Sequence, residues 1–243
     1  MIAIKTENLT KDYGDVLAVN GVNIEVNEGE IFSLLGVNGA GKTTLVKMLS
    51  TIVKVSSGDA FIYGNSIKKE PKKVKGLIDI SMQETAIARK LTVEENIEFY
   101  AKLNGQKGED VQKSKEYVYS VFNLRQFAKK QAQKLSGGWQ RKLSIALALV
   151  TKPKVLFLDE PTLGLDVIAR RELWNTILSL KGQTTIILTT HYMEEAETLS
   201  DRIAIMKNGQ ILFVGDKEKL YTSTNTTKIE DAFIKIVQEG GSI

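Results

Sequence analysis

The sequence predicts an α/β protein built on a mostly parallel sheet. Short apolar runs of strand length alternate along the 243 residues with segments of helical periodicity. The run at residues 155–158 is apolar throughout, which is typical of a strand buried on both faces. Hydrophobic residues make up 42% of the chain, which is enough for a sizeable core, and only 3 prolines interrupt the pattern.

The composition argues against several classes of protein. The chain has no cysteine, which excludes disulfides and thiolate chemistry and favours a cytosolic setting. Its net charge of +4 is small and scattered, unlike a nucleic-acid-binding surface. No apolar run approaches the length of a membrane span, and the first residues lack the pattern of a signal peptide. We therefore expect any membrane role to depend on a partner.

The elements of the first half follow from apolar periodicity. Strands are predicted at residues 2–4, 22–26, 31–35, 59–63 and 76–82, with a helix at residues 44–49. From residue 84 to 134 the pattern becomes helical. Thr92 and Glu95 form a capping box that starts one helix, and a second helix begins near Glu109. These helices form an insertion between two strands of the sheet.

The second half returns to alternating helices and strands. Helices are predicted at residues 140–150, 166–180 and 192–199, strands at residues 155–158 and 184–189, and a hairpin at residues 203–214. Asp166 is a suitable N-cap for the second of these helices, and Asn208-Gly209 is a strong turn signal. After Gly215 we expect a polar tail with one amphipathic piece at residues 228–237.

A glycine-rich loop at residues 36–43 matches the P-loop pattern G-x-x-x-x-G-K-[ST]. Backbone N–H groups of such a loop surround a phosphate chain, and the following helix N-terminus favours an anion. Lys42 can reach the β- and γ-phosphates, and the Thr43 hydroxyl can ligate Mg²⁺. This context favours phosphate binding over a coincidental turn. The candidate binding residues here are Gly36, Asn38, Gly39, Ala40, Gly41, Lys42, Thr43 and Thr44.

Polar residues follow other predicted strands, where ligands bind in open parallel sheets. Asp159 is suited to hold Mg²⁺, and Glu160 can accept a proton from the water that attacks the γ-phosphate. Without the phosphate loop, two solvated acids at a strand end would be the favoured interpretation of this pair. Gln83 can ligate Mg²⁺ or position water, and His191 can hydrogen-bond the γ-phosphate. The candidate metal ligands are therefore Thr43, Gln83 and Asp159.

A second glycine cluster, Ser136-Gly137-Gly138, stands at the start of another helix. Its backbone N–H groups make a second anion site, although no lysine accompanies it. One nucleotide has little need of two phosphate cradles in the same chain. Two subunits placed head to tail would use both, each contributing one cradle to every bound nucleotide.

Together these motifs resemble the nucleotide-binding subunit of an ATP-binding cassette (ABC) transporter over about residues 1–215. The matching positions are Tyr13, 36–43, Gln83, 135–138, 155–160, 164–166 and His191. The resemblance implies a P-loop NTPase (RecA-like) core with a mostly parallel sheet, an N-terminal antiparallel β subdomain and an inserted α-helical subdomain. The expected ATPase domain covers residues 1–220, with its core at 1–84 and 152–220, its helical subdomain at about 85–151, and a C-terminal tail at 221–243.

The resemblance also implies roles for single residues. Tyr13 would stack on adenine, and the phosphate loop and Asp159 would hold Mg-ATP. Gln83 would report the γ-phosphate to the helical subdomain. The cluster at residues 136–138 would bind the ATP that the other subunit of the dimer holds. Glu160 would be the catalytic base, Asp166 would cross the dimer interface, and His191 would be the γ-phosphate switch.

One position departs from the family pattern. Trp139 stands where the family usually has a glutamine after Leu-Ser-Gly-Gly. This fifth position is the least tied to backbone phosphate binding, so we expect ATP hydrolysis to survive the change.

The expected protein is an ATPase subunit that pairs with a second nucleotide-binding subunit and a transmembrane permease, without nucleic acid. It would lie in the cytoplasm, on the inner face of the cell membrane. Residues 91–96, 100–103 and 229–233 resemble the ABC-2 exporter branch, often linked to drugs, antibiotics or other small molecules. The alternatives are a soluble ABC ATPase of translation or DNA repair, which usually carries two cassettes or coiled-coil arms, and a nucleotide kinase.

Overall fold

Two sheets organise residues 1–240, the part of the chain that the computed structural model describes. The strands are β1 (Ile2–Asp12), β2 (Leu17–Val22), β3 (Glu25–Asn27), β4 (Ile31–Leu35), β5 (Ser57–Ile62), β6 (Asn65–Ser66), β7 (Ile78–Ser81), β8 (Val155–Asp159), β9 (Thr185–Thr190), β10 (Arg202–Lys207) and β11 (Gln210–Gly215). The helices are α1 (Lys42–Leu49), α2 (Pro71–Lys75), α3 (Val93–Leu103), α4 (Glu109–Phe122), α5 (Gly137–Leu149), α6 (Val167–Ser179), α7 (Met193–Leu199), α8 (Lys217–Thr224) and α9 (Ile229–Glu239).

The larger sheet has the strand order β11-β10-β4-β9-β8-β7. Neighbours from β10 to β7 pair in parallel, and only the hairpin of β10 with β11 is antiparallel. Every residue of β4, β8 and β9 is buried, as expected for central strands covered on both faces. The predicted α/β class with a mostly parallel sheet is confirmed.

The smaller sheet is antiparallel and belongs to the N-terminal part of the chain. Its order is β2-β1-β5-β6, and β3 also pairs with β1. The long strand β1 serves three partners, which explains why it extends to Asp12, well beyond the predicted residues 2–4. A buried apolar cluster that includes Ile4, Leu34 and Met48 fills the space between this sheet, β4 and α1.

Helices α3, α4 and α5 lie in the chain between β7 and β8, although those two strands are parallel neighbours. The predicted capping box is present at the start of α3. The Glu95 backbone N–H donates to Thr92 Oγ1 (3.2 Å), and the Thr92 N–H donates to Glu95 Oε2 (2.7 Å). The three helices share one apolar cluster, which continues through β8 to α6.

The segment after β11 differs from the predicted polar tail. Helices α8 and α9 cover residues 217–239 almost continuously, and the predicted boundary at residue 220 falls inside α8. Leu220, Phe233 and Ile236 are buried in a cluster that also contains Ile203 of β10 and Ala196 of α7. The last three residues of the predicted tail, 241–243, lie outside the described residues. Within residues 1–240, every helix is too short or too polar to cross a bilayer.

Candidate functional site

The turn from β4 into α1 brings backbone groups together so closely that two positions must be glycine. A Cβ on Gly36 would lie 2.4 Å from the carbonyl oxygen of Met206. Gly41 has a φ of +106°, and a Cβ there would lie 2.3 Å from the Ala18 carbonyl oxygen. The loop is therefore wedged between β10 and β2 and held in one conformation.

The Lys42 ammonium folds back over this loop. Its Nζ donates to the carbonyl oxygens of Gly36 (2.7 Å) and Val37 (3.2 Å) and lies 3.6 Å from Glu160 Oε1. Burial lowers the pKa of Lys42, and the Glu160 and Asp159 carboxylates partly offset that effect. A buried cation thus stands beside the backbone amides at the start of α1.

Asp159, the last residue of β8, is fixed by hydroxyl groups from two directions. Thr43 Oγ1 donates to Asp159 Oδ1 (3.0 Å) and Oδ2 (3.1 Å), and Thr189 Oγ1 donates to Oδ1 (2.5 Å). The carboxylate is only 1% exposed. A hydroxyl and a carboxylate held side by side form a hard oxygen donor pair that suits Mg²⁺.

Glu160 and His191 form a hydrogen-bonded pair at the same edge of the sheet. His191 Nδ1 lies 2.8 Å from Glu160 Oε2. The backbone of Glu160 has a φ of +48°, in the left-handed region that side-chain-bearing residues rarely occupy. Its N–H donates to the carbonyl oxygen and to the hydroxyl of Thr189, both at 3.1 Å, and these bonds hold the unusual conformation.

These groups surround a cavity of about 600 Å³. Of the predicted site residues, it is lined by Asn38, Gly39, Ala40, Gly41, Lys42, Thr43, Thr44, Gln83, Glu160 and His191. The structure thus brings the phosphate loop and the residues that follow three other strands to one place. Gly36 and Asp159 are outside this lining but touch it through Lys42 and Thr43.

Leu163 and two further segments line the cavity and were not identified from the sequence. The segments are residues 16–18 at the start of β2 and Asn208-Gly209 in the β10–β11 turn. The Gly209 N–H donates to the Ala40 carbonyl (2.9 Å), and the Gly209 carbonyl accepts from the Asn20 N–H (2.8 Å). The turn signal at Asn208 was visible in the sequence, but its position depends on the pairing of β10 with β4.

Tyr13 is placed outside the cavity lining. Its side chain is 55% exposed, and Lys11 Nζ lies 4.7 Å from the centre of its ring.

A second cavity, of about 260 Å³, lies at the start of α5 and shares no lining residue with the first. It is lined by Ser136, Gly138, Trp139, Lys142, Asp166, Ile168, Ala169 and Glu172. Asp166 caps α6, because its Oδ1 accepts from the N–H groups of Ile168 and Ala169, both at 2.9 Å. Helices α5 and α6 approach so closely that a Cβ on Gly138 would lie 3.0 Å from Ala169 Cβ. The second glycine cluster and Asp166 therefore belong to one site.

Comparison with known proteins identifies the arrangement. The family model described as ABC transporter matches residues 19–163. This chain belongs to the ABC transporter family. The match starts within β2 and includes the phosphate loop, the second glycine cluster and the acidic pair at the end of β8, so the chain is an ATP-binding ATPase domain of that family.

Individual relatives agree with this assignment. The daunorubicin resistance ATP-binding protein DrrA3 of Streptomyces coeruleorubidus is 35% identical over 242 residues, covering 99% of this chain and 77% of the relative. ABC transporter A family member 5 of Arabidopsis thaliana is 40% identical, and human ATP-binding cassette sub-family A member 2 is 42% identical. The chain spans only 26% and 9% of the length of these two relatives.

Solved structures agree in fold along the whole length. A nucleotide-free ATP-binding cassette from an ABC transporter has a TM-score of 0.83 at 27% identity and covers 96% of this chain and 99% of its own. CbiO1 from Clostridium perfringens, described as part of the ABC transporter complex cbiONQ, has a TM-score of 0.82 at 27% identity, covering 98% and 99%.

Trp139 is the departure of this ABC domain from the usual Leu-Ser-Gly-Gly-Gln segment, and the structure shows how it packs. Its ring meets the Phe127 ring edge-on, with 4.6 Å between the ring centres. Lys142 Nζ lies 4.3 Å from the centre of the Trp139 ring and donates to Glu172 Oε2 (2.7 Å). The indole thus packs between the helical insertion and the α5–α6 contact.

Arg141 is a residue of the ABC domain to which the sequence motifs assigned no role. Its buried guanidinium donates to four carbonyl oxygens, those of Pro161 (2.8 Å), Met82 (2.5 Å), Gln83 (3.1 Å) and Asp159 (2.9 Å). Burial lowers its pKa to about 10, which leaves it charged at neutral pH. Arg141 therefore links α5, which lines the second cavity, to the ends of β7 and β8 beside the first cavity.

Proposed function

We propose that this domain closes head to tail with a second nucleotide-binding subunit around two Mg-ATP molecules, and that hydrolysis drives a transmembrane permease. The observation that supports this proposal is the presence of two separate cavities in one chain. The first contains the phosphate loop, Lys42 and Glu160, and the second contains Ser136, Gly138 and Asp166. The second cavity of the other subunit would complete the binding site of a nucleotide held in the first cavity.

In this proposal the roles of the first cavity follow from its chemistry. The backbone amides of residues 38–44, with Gly36 and Lys42, bind the phosphates. Glu160 accepts a proton from water, while His191 holds Glu160 and meets the γ-phosphate. The hydrogen bond to His191 and the left-handed backbone of the buried Glu160 give the carboxylate a fixed direction, which supports a role in proton transfer.

Mg²⁺ fits the pair formed by Thr43 and Asp159. No group of three or more acidic, histidine or cysteine side chains suited to a metal occurs within residues 1–240. Phosphate oxygens and water would complete the octahedral coordination that Mg²⁺ prefers. When bound, the ion would neutralise charge on the phosphates. Gln83 is proposed as a further ligand, or as the residue that positions water.

The roles proposed for the other positions concern groups outside the first cavity. Tyr13 is proposed to stack on adenine, and its exposed ring supports this. Ser136, Gly137 and Gly138 are proposed to bind the γ-phosphate held by the other subunit, and Asp166 to cross the interface.

The helical subdomain is proposed at about residues 85–151. A domain boundary at residue 220 is not retained because it divides α8.

We also propose that the protein acts in export of a small molecule and works at the inner face of the cell membrane through its permease. The drug-resistance name of the DrrA3 relative, of which this chain covers 77%, supports the export assignment. Purification from a native membrane extract tests it. Recovery of a membrane subunit supports the transporter, whereas recovery of ribosomes or DNA instead would support the soluble alternative.

The mechanism is tested with Glu160→Gln, which keeps the shape of the side chain but removes the base. We expect ATP binding to remain and hydrolysis to slow by about 10²-fold or more. ATP should then accumulate in a dimer, measured by light scattering on a sizing column with saturating Mg-ATP. A monomer under these conditions would contradict head-to-tail closure of this subunit.

Lys42→Ala is the companion variant in the same experiment. It removes the ammonium from the phosphate loop, so nucleotide affinity and dimer formation should both be lost. Unchanged ATP affinity would contradict the assignment of residues 36–43 as the phosphate cradle. Hydrolysis by the parent domain without any phosphate acceptor separates it from a kinase.

A further inference from the structure

Glu195 is a fully buried carboxylate that the proposed reaction does not use. It lies on α7, four residues after His191, and is 0% exposed. Its Oε1 accepts from Thr162 Oγ1 (2.8 Å) and from Trp174 Nε1 (3.0 Å). Its Oε2 has no hydrogen-bond partner among residues 1–240. Burial raises the pKa of this carboxyl.

The two donors come from two segments that adjoin the candidate site. Thr162 is in the turn that follows Glu160 and is itself fully buried. Trp174 is on α6, the helix capped by Asp166. Glu195 is on α7, which starts two residues after His191. One carboxylate oxygen therefore joins the segments that carry Glu160, Asp166 and His191.

An apolar side chain at position 195 would be cheaper to bury, because a carboxylate inside a protein loses its hydration. An apolar residue, however, would leave the Thr162 hydroxyl and the Trp174 indole N–H buried without an acceptor. The carboxylate instead gives both donors one common, directional partner. This arrangement fixes the distance between the turn and the two helices.

We propose that Glu195 is a positioning residue: through Thr162 and Trp174 it holds the Glu160 turn and α6 against α7, so that Glu160 and His191 keep their 2.8 Å contact. This inference rests on the proposed function, in which Glu160 and His191 act on the γ-phosphate. Glu195 is not one of the residues that line the first cavity. Its effect should therefore appear in the rate of hydrolysis and not in ATP affinity.

The test compares three variants of the full chain. Glu195→Leu removes the acceptor at similar volume, and we expect kcat for ATP hydrolysis to fall about tenfold or more because the catalytic groups lose their alignment. The Kd for ATP should stay within about twofold, since the phosphate loop is untouched. Glu195→Gln keeps a carbonyl oxygen for both donors and should restore most of kcat. Glu194→Gln alters the exposed neighbour on α7 and should match the parent.

Two variants with smaller expected effects test the positioning role of Glu195 if Glu195→Leu does not fold. Thr162→Val and Trp174→Phe each remove one donor and leave the carboxylate in place, so each should lower kcat by about two- to fivefold at unchanged Kd. Parental kcat in both variants would overturn the inference, as would parental kcat in folded Glu195→Leu. A fall in kcat with Glu194→Gln equal to that with Glu195→Leu would overturn it as well.

Glu160→Gln, measured in parallel, separates this inference from the function on which it rests. If Glu160→Gln hydrolyses ATP like the parent, the proposed function fails. If Glu160→Gln is inactive while folded Glu195→Leu keeps the parental kcat, only the positioning role of Glu195 fails.

Discussion

The charged residues in and beside the first cavity are each held by hydrogen bonds to neighbouring groups. Lys42 is held by carbonyls of its own loop, Asp159 by hydroxyls on α1 and β9, and Glu160 by His191. Groups fixed in this way need little rearrangement when charge develops on a phosphate. The first cavity is therefore a set of preorganised charges, and a single substitution should affect the role of one residue while leaving the other residues in place.

Trp139 gives a prediction at the residue scale. Trp139→Gln restores the family's usual residue but removes the contact with Phe127 and the indole beneath Lys142. We expect the free energy of unfolding to fall by about 1–2 kcal/mol, measured by urea denaturation. ATP hydrolysis should survive because the backbone of residues 136–138 is unchanged.

Trp139→Phe is the matched control, since it keeps an aromatic ring against Phe127 and should lose less stability. If Trp139→Gln instead abolished hydrolysis at unchanged stability, the side chain would act in the reaction itself.

The site residues that could be predicted are those whose role follows from a short, continuous sequence motif. Gly36 and Lys42 belong to a continuous motif, and their neighbours along the chain determine their geometry. Arg141 and Glu195 were not identified because each is an ordinary helical residue until its partners are known. Those partners, such as Pro161 and Trp174, are distant in the chain and become neighbours only in the folded molecule.

At the scale of elements, Asp79 joins the edge strand β7 to the helical insertion. Its Oδ1 accepts from the Tyr100 hydroxyl on α3 (3.2 Å) and from the Ile80 N–H (2.8 Å), and its Oδ2 accepts from Thr151 Oγ1 (3.2 Å). Burial raises the pKa of Asp79 to about 6, an effect that these hydrogen bonds partly offset. This junction connects the sheet to both ends of the insertion.

The raised pKa predicts a pH dependence of stability. The unfolded carboxyl titrates near pH 4, so between about pH 4 and 6 the folded state binds a proton that the unfolded state has released. Stability from this group is therefore present below about pH 4 and is lost as the pH rises through about 6. Asp79→Asn keeps acceptor and donor atoms at the junction and should be more stable than the parent at pH 7, by on the order of 2–3 kcal/mol.

Urea denaturation of both proteins at pH 4, 5, 6 and 7 measures this difference. Asp15→Asn, at an exposed position, is the control and should follow the parent at every pH. Parallel curves for the parent and Asp79→Asn would contradict the raised pKa.

Elements with strong periodicity or clear caps were predictable, and the others depended on tertiary contacts. The helix starting after Thr92 was predicted from the helical pattern of residues 84–134, and the capping box located its first turn. Helix α8 was missed because its sequence is polar, with only Leu220 and Thr224 buried along its length. It forms where Leu220 joins the cluster of β10 and α9, which no local pattern indicates.

At the scale of the whole molecule, the C-terminal helices are part of the packed structure. Phe233 of α9 is 6% exposed, whereas its neighbour Ile234 is 48% exposed. Phe233→Ala should lower the free energy of unfolding by about 3–5 kcal/mol, because it leaves a cavity against β10 and α7. Thermal and urea unfolding measure this loss.

Ile234→Ala is the matched control on the exposed side of the same helix and should cost less than about 1 kcal/mol. Equal losses for the two variants would show that α9 does not dock in solution as described.

The overall class was predictable because alternating strands and helices with fully apolar central strands permit few arrangements. The composition of the second cavity was not, because it depends on how α5 and α6 pack. Their close contact at Gly138 and Ala169 brings Asp166 beside the second glycine cluster. Sequence motifs predicted both candidate sites but not how the fold places them.

The left-handed backbone of Glu160 has a consequence for the evolution of the protein. A φ of +48° suits glycine or asparagine better than glutamate, so this position stores strain that the Thr189 bonds offset. Selection for thermal stability alone would tend to replace the glutamate. In the proposed function its presence trades stability for activity, and libraries screened only for folding should lose this residue early.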